Sequence, residues 1–199
     1  MNKKFYVLLL TVVLTGHYAQ AQFSFGVRAG FNYTNFYDSE GCKFKPGFQA
    51  GVVGDLSVAP AFSIQPAILF ATQGCKNEYS NLASSSSDAT TTLNYIQVPV
   101  HFQYKVDLSG PKLFVQAGPF FGYGLGGKTK AGSNSVDIKM GGDENLKAID
   151  YGVSGGVGVQ FGHIQVGVGY LLGLADINNT DFGHSVKNTG LSLALTYLF

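Results

Sequence analysis

The sequence has no tryptophan, only two cysteines and few charged residues. Charged side chains make up 13% of its 199 residues, whereas a soluble domain usually carries about 25%. The net charge is +1, and no basic patch, acidic tail or basic tail is present, which argues against nucleic acid as a partner. Beyond the N-terminal stretch, no apolar run reaches the roughly 20 residues that a membrane-spanning helix needs.

Glycine and aromatic residues are abundant instead. The chain contains 27 glycines, 16 phenylalanines and 11 tyrosines. Many aromatic side chains combined with little charge indicate a protein whose surface does not all face water.

The N-terminus has the pattern of a secretory signal peptide. Lysines at positions 3 and 4 precede an apolar run over 5–16, and Ala19-Gln20-Ala21 matches a small-x-small cleavage site. We therefore expect residues 1–21 to be removed and residues 22–199 to form one domain. The alternative, a membrane anchor, needs a longer apolar run than this one. A lipoprotein is not expected, because no cysteine stands at the cleavage site.

Apolar and polar residues alternate with a period of two through the rest of the chain, which predicts β-strands with two different faces. Eight segments of about 10–14 residues show this alternation, longer than the 5–6 residues of soluble strands and long enough to cross a membrane. Their apolar faces run over 25–33, 48–58, 62–70, 96–104, 113–123, 151–161, 164–172 and 191–199.

Short and long connections alternate between these segments. The short ones lie at 59–61, 107–111 and 162–163, and the long polar ones at 37–46, 75–91, 126–147 and 176–187. This layout predicts an all-β fold, an eight-stranded antiparallel up-and-down transmembrane β-barrel with short periplasmic turns and long extracellular loops.

The composition of the two faces favours a membrane over a soluble barrel. The polar face holds glycine and glutamine rather than the lysine and glutamate of a water-exposed exterior, so it suits a crowded lumen. The apolar face carries aromatic residues near the strand ends, as at the two membrane interfaces. A lipocalin-like soluble barrel is the alternative. Pro66, Pro99 and Pro119 fall inside strands, where we expect bulges or local unpairing.

Five segments resemble the PorT-like outer-membrane β-barrel family, in the order and spacing of that family. They are Phe25–Asn32, Gln65–Phe70, Leu93–Pro99, Gln116–Phe120 and Asp150–Val153. The resemblance implies a small barrel in the bacterial outer membrane; one branch of the family supports a protein secretion system. The C-terminal segment ending at Phe199 resembles the aromatic signal that the barrel insertion machinery recognises, and an ordinary last strand is the alternative.

No catalytic, cofactor or metal site is predicted. His101 is the only histidine on an inward strand face, and Ser63, also inward, is expected near a periplasmic turn, away from it. Eight strands leave a lumen that side chains fill. We therefore predict a non-enzymatic, monomeric outer-membrane protein that contacts membrane lipid. Its role is either structural, through its embedding in the membrane, or one of interaction through its extracellular loops. A lipid-directed enzyme and a secretion accessory are the alternatives.

Two residue pairs are predicted to interact. Arg28 and Asp55 face the lumen nearly opposite each other, and an unpaired charge there is costly, although lumen water is the alternative partner. Cys42 and Cys75 reach the same extracellular rim of a protein exported to an oxidising compartment. A disulfide between them would contribute about 3–4 kcal/mol in the chain-entropy model, and two free thiols are the alternative.

Overall fold

A computed structural model describes residues 22–37, 41–77, 89–132, 134–142, 146–179 and 185–199. The predicted signal peptide lies outside these residues. The described chain forms nine β-strands: β1 Gln22–Tyr37, β2 Cys42–Ala59, β3 Phe62–Asn77, β4 Ala89–Asp107, β5 Lys112–Ala131, β6 Asn134–Ile138, β7 Ile149–Phe161, β8 Ile164–Gly173 and β9 Lys187–Leu198. Among the described residues, no helix is long and apolar enough to cross a membrane.

Eight of these strands close into a ring of antiparallel neighbours. The order runs β1, β2, β3, β4, β5, β7, β8, β9, and β9 pairs again with β1. The ninth, β6, pairs with the far end of β5 and lies outside the ring. The predicted eight-stranded antiparallel barrel is therefore confirmed, with one additional hairpin. Closure leaves no open edge in the wall, which a hydrocarbon environment requires.

The two faces of the wall differ as the alternation predicts. Outward side chains are apolar and exposed, for example Phe31 at 74%, Phe121 at 61% and Leu193 at 50%. Inward side chains are polar and buried, among them Gln65 and Gln103. This distribution is the inverse of a soluble barrel, whose apolar face points inward.

Several strands extend further toward the long loops than predicted. The expected loop over 37–46 is shorter, because β2 already begins at Cys42, and β5 continues to Ala131. Threonines stabilise these longer strands, because β-branched residues favour the β-strand conformation. The hydroxyls of Thr91 and Thr129, for instance, lie 3.0 Å apart across β4 and β5. The predicted loop boundaries at this end are therefore wrong by several residues.

The three prolines predicted to lie in strands open the backbone ladder without changing its register, whereas Pro46, which the structure also places in a strand, lies within a register shift of the β2–β3 ladder. Pairing between β4 and β5 is lost at Val100 and Pro119 and resumes further along in the same register. The β2–β3 and β3–β4 ladders are interrupted beside Pro66 and Pro99. Because proline has no N–H to donate, local unpairing is the expected response.

Candidate functional site

Glutamine side chains cross the half of the lumen nearest the short turns. Gln65 on β3 donates to Gln165 on β8, with 3.2 Å between Nε2 and Oε1. Gln165 in turn donates to Gln160 at 3.0 Å, and Gln103 donates to Gln116 at 3.1 Å. An amide carries both donors and acceptors, so these residues satisfy one another and link opposite walls of the barrel.

The lumen charges are arranged differently from the prediction. Asp55 pairs with Lys105 of β4, at 2.8 Å between Nζ and Oδ2. Arg28 donates instead to Thr196 and to Gln65, and Gln65 donates to Asp55 at 3.4 Å. The expected direct Arg28–Asp55 pair is therefore wrong.

The register explains why the two charges are not opposite each other. Arg28 pairs with Gly51, four residues from Asp55 along β2. Gln65 bridges this separation as an uncharged link between the guanidinium and the carboxylate.

Two phenylalanines of β5 point into the lumen beside glycines of the neighbouring strand β7. Phe114 and Phe120 are 6% and 1% exposed. A Cβ placed on Gly158 would lie 2.4 Å from the Phe114 ring, and one on Gly152 would lie 2.8 Å from the Phe120 ring. The glycines of β7 thus leave the space that the two rings fill. Neither ring was predicted from the sequence to fill the lumen, although both have the inward parity of β5.

His101 and Ser154 form a hydrogen bond in the middle of the lumen. His101 Nε2 and Ser154 Oγ are 2.8 Å apart. Gly118 pairs with Ser154, and the β4–β5 register places it opposite His101, so its missing side chain lets the two residues meet. Ser63 bonds to Gln103 at 3.4 Å instead. His101 Nδ1 has no hydrogen-bond partner in the described part of the chain, so no carboxylate orients the ring.

A buried carboxylate lies closer to the long loops. Asp150 is 0% exposed and accepts a hydrogen bond from Asn188 Nδ2 at 2.9 Å. Asn188 also lies 3.3 Å from the Tyr95 hydroxyl. These three residues come from β4, β7 and β9, so the cluster could not be found from spacing along the sequence.

An apolar cap covers this cluster at the loop end of the barrel. Ile177, between β8 and β9, is fully buried and packs with Leu93 and Phe36. Met140 and Leu146, between β6 and β7, pack against the same cluster. Backbone bonds hold the two segments together, including Lys147 N–H to the Ile177 carbonyl at 2.8 Å.

Asp176 fixes the turn beside Ile177. Its Oδ1 accepts hydrogen bonds from the backbone N–H groups of Val186, at 2.8 Å, and Asn178, at 3.1 Å. Slight desolvation acts to raise the pKa of Asp176, but these hydrogen bonds, together with one from Ser185 and the charge of Lys147, hold the pKa below its ordinary value.

The two cysteines lie on the wall beneath the cap. The structure joins Cys42 and Cys75 as a disulfide with Cα atoms 5.6 Å apart, within the usual range for such bonds. Cys75 belongs to the buried apolar cluster of the cap. The disulfide therefore links β2 and β3 at the place where Ile177 packs against the wall.

We expect the disulfide to be present in protein taken from cells. Alkylation without reduction should leave the intact mass unchanged, and alkylation after reduction should add two alkyl groups. All alkylations are carried out in urea, so that burial of Cys75 does not protect it. The Cys42→Ser variant supplies the control, since its single remaining thiol should then react without reduction. Two thiols that react freely in the wild-type protein would overturn the pairing.

The chain ends on the outer surface of the barrel. The Phe199 N–H donates to the Phe25 carbonyl at 2.7 Å, and the ring, 68% exposed, stacks edge-on against Tyr197. An exposed ring is accessible to the barrel insertion machinery. The role of Phe199 as an insertion signal stays a prediction. In the described chain, no group of three or more His, Cys, Asp or Glu side chains could hold a metal ion.

Comparisons with known proteins agree with this architecture. The model of the family described as outer membrane protein beta-barrel domain matches residues 18–179. No curated protein matches the chain in sequence.

Two solved structures illustrate the shared fold. Neisserial surface protein A is similar with a TM-score of 0.52 and 15% identity, over 89% of this chain and 99% of that one. OprG from Pseudomonas aeruginosa is similar with a TM-score of 0.50 and 14% identity, over 90% and 97%. At these identities the likeness concerns the fold alone.

Proposed function

Because this chain belongs to the outer membrane protein beta-barrel domain family, we propose that it is a non-enzymatic barrel with a closed lumen, acting at the cell surface through its extracellular loops. It is an outer-membrane β-barrel protein, so its apolar wall faces lipid. The proposal of a closed lumen is supported above all by the side chains that fill the lumen from opposite walls.

Three layers close the passage through the barrel. Glutamines bridge the walls near the short turns, Phe114 and Phe120 fill the space opposite the glycines, and the cap around Ile177 covers the other end. An eight-stranded barrel has an interior only wide enough for side chains. Transport of large solutes through such a lumen would require all three layers to move.

The loop end offers the surface for interaction. At this end β6 extends the sheet as a hairpin with β5, and the hairpin carries Lys128 and Asp137, whose side chains are 62% and 75% exposed. Exposed polar loops on a rigid barrel are a common place for recognition. We place this end outside the cell, with the short turns in the periplasm.

The alternative functions receive less support. A lipid-directed hydrolase needs a nucleophile, a base and an orienting group near one rim, whereas His101 and Ser154 meet in mid-lumen and Asp150 bonds to Asn188. A role as a secretion accessory rests on the PorT-like resemblance alone, and co-purification with secretion components would favour it. We also propose that residues 1–21 are cleaved and that the barrel is a monomer.

The purified barrel should form no stable large channel in planar lipid bilayers. Because we propose that the glutamine layer and the two phenylalanines close the lumen, we expect the current to stay at the baseline of the lipid. Conductance is recorded after insertion has been verified by protection of the wall from protease, with a general porin inserted under the same conditions as a control. Reproducible steps of porin size would refute the closed lumen.

A further inference from the structure

We propose that a small anion binds inside the barrel, in a cavity beside Arg28. The cavity has a volume of about 80 Å³ and lies among side chains from all parts of the ring, including Arg28, Gln97, His101, Phe114 and Phe120. This site lies within the lumen and is independent of the loop surface to which we assign the function.

The charge balance of the cavity calls for an anion. Of the described residues that line it, Arg28 is the only one with a formal charge, and Arg28 is just 7% exposed. The carboxylate of Asp55 is held by Lys105 at 2.8 Å, so these three groups together carry a charge of +1. Asp150, the other buried carboxylate described in the lumen, bonds to Asn188 and does not line the cavity. In the described chain Arg28 therefore has hydrogen-bond partners but no direct ionic one. A buried charge without an ionic partner is costly, and a monovalent anion would neutralise it.

Hydrogen-bond donors around the cavity point to the same ligand. Gln97 Nε2 and His101 Nδ1 are buried and have no partner among the described residues. When the Ser154 hydroxyl donates to His101 Nε2, the imidazole hydrogen lies on Nδ1. Two free donors and a guanidinium then line one cavity. Gln73 Oε1 is an unpartnered acceptor on the same cavity, which a water molecule accompanying the anion would satisfy.

The size of the cavity selects the class of anion. Its volume is far below the roughly 300–1,000 Å³ of sites for drug-sized ligands, which rules out sugars and nucleotides. A halide fits, and so does a carboxylate of the size of formate. Both bind through the same donors, so the experiment must distinguish them.

Bromide provides a direct probe. The protein is unfolded in urea and refolded into detergent micelles in sodium bromide, so that entry into the closed lumen does not limit binding, and is then crystallised. We expect an anomalous bromide peak within hydrogen-bond distance of the Arg28 guanidinium. Refolding with added sodium formate should remove the peak if a small carboxylate is preferred, and leave it if the site prefers a halide.

Variants then assign the peak to the donors. Arg28→Gln should abolish it, Gln97→Leu should reduce its occupancy while keeping the charge, and Lys112→Gln, at an exposed position, should leave it unchanged. Should Arg28→Gln fail to fold, Gln97→Leu and the wild-type crystals still decide the question. Only ordered water beside Arg28 in the wild type, or an undiminished peak in Arg28→Gln or Gln97→Leu, would overturn the proposal.

Discussion

Replacing Gly118 with alanine is expected to abolish folding of the barrel. An ideal Cβ at this position would lie 1.9 Å from the Val100 carbonyl oxygen and 3.2 Å from the His101 Cα. Both atoms belong to the backbone of β4, so the methyl group cannot be accommodated by a side-chain rotation. The strands would have to separate, at a cost at or above the roughly 1–3 kcal/mol of overpacked core sites.

Gly122 supplies the matched control for this substitution. It lies four residues further along β5 on the same face, where a Cβ would meet its nearest neighbours at 3.4 Å, an ordinary contact. Electrophoresis of unheated and heated samples should show a folded, faster-migrating band for Gly122→Ala and none for Gly118→Ala. Equal folding of the two variants would mean that the close approach of β4 and β5 is not required.

Replacing Asp55 with alanine is expected to destabilise the barrel by about 3–5 kcal/mol. The change leaves Lys105 without its carboxylate partner and Gln65 without one of its acceptors. The measurement is the midpoint of urea unfolding in detergent micelles. Asp107→Ala is the control, because Asp107 pairs with Lys112 at 3.9 Å on an exposed turn, where an ion pair contributes up to about 1 kcal/mol.

A second substitution separates loss of the pair from loss of packing. The double variant Asp55→Ala/Lys105→Met also removes the lysine that the single substitution leaves without a partner. It should recover part of the stability, because a buried charge without a partner is more costly than the loss of both members of an ion pair. If the double variant is no more stable than Asp55→Ala, the cost comes from packing and not from the stranded lysine.

The wall of the barrel could be predicted from the sequence because it depends on a local pattern. Alternation with a period of two fixes which side chains face outward, and Phe31 and Leu193 lie where it places them. The three prolines were identified correctly as points of local unpairing, because the missing N–H is a property of the residue itself.

The contents of the lumen could not be predicted in the same way. An error of two residues in the predicted centre of the β1–β2 hairpin shifts the residue that faces Arg28 by four positions along β2. Four positions is the distance from Asp55 to Gly51, the residue that does face Arg28. The Phe114 ring packs over Gly158, and Ile177 packs against Leu93. Both contacts join residues that are far apart in the chain. Their positions depend on the curvature of the closed ring, which alternation does not encode.

The absence of tryptophan makes it possible to test directly whether the apolar face meets lipid and the polar face is a sealed interior. One tryptophan is introduced on each face, as Phe102→Trp on the outer wall, where Phe102 is 58% exposed, and as Phe120→Trp in the lumen. Fluorescence in bilayers is measured with brominated lipid and with aqueous iodide as quenchers. We predict that brominated lipid quenches the Phe102→Trp variant and that neither agent quenches the Phe120→Trp variant. Quenching of the Phe102→Trp variant by iodide but not by brominated lipid would show that the apolar wall faces water and not lipid.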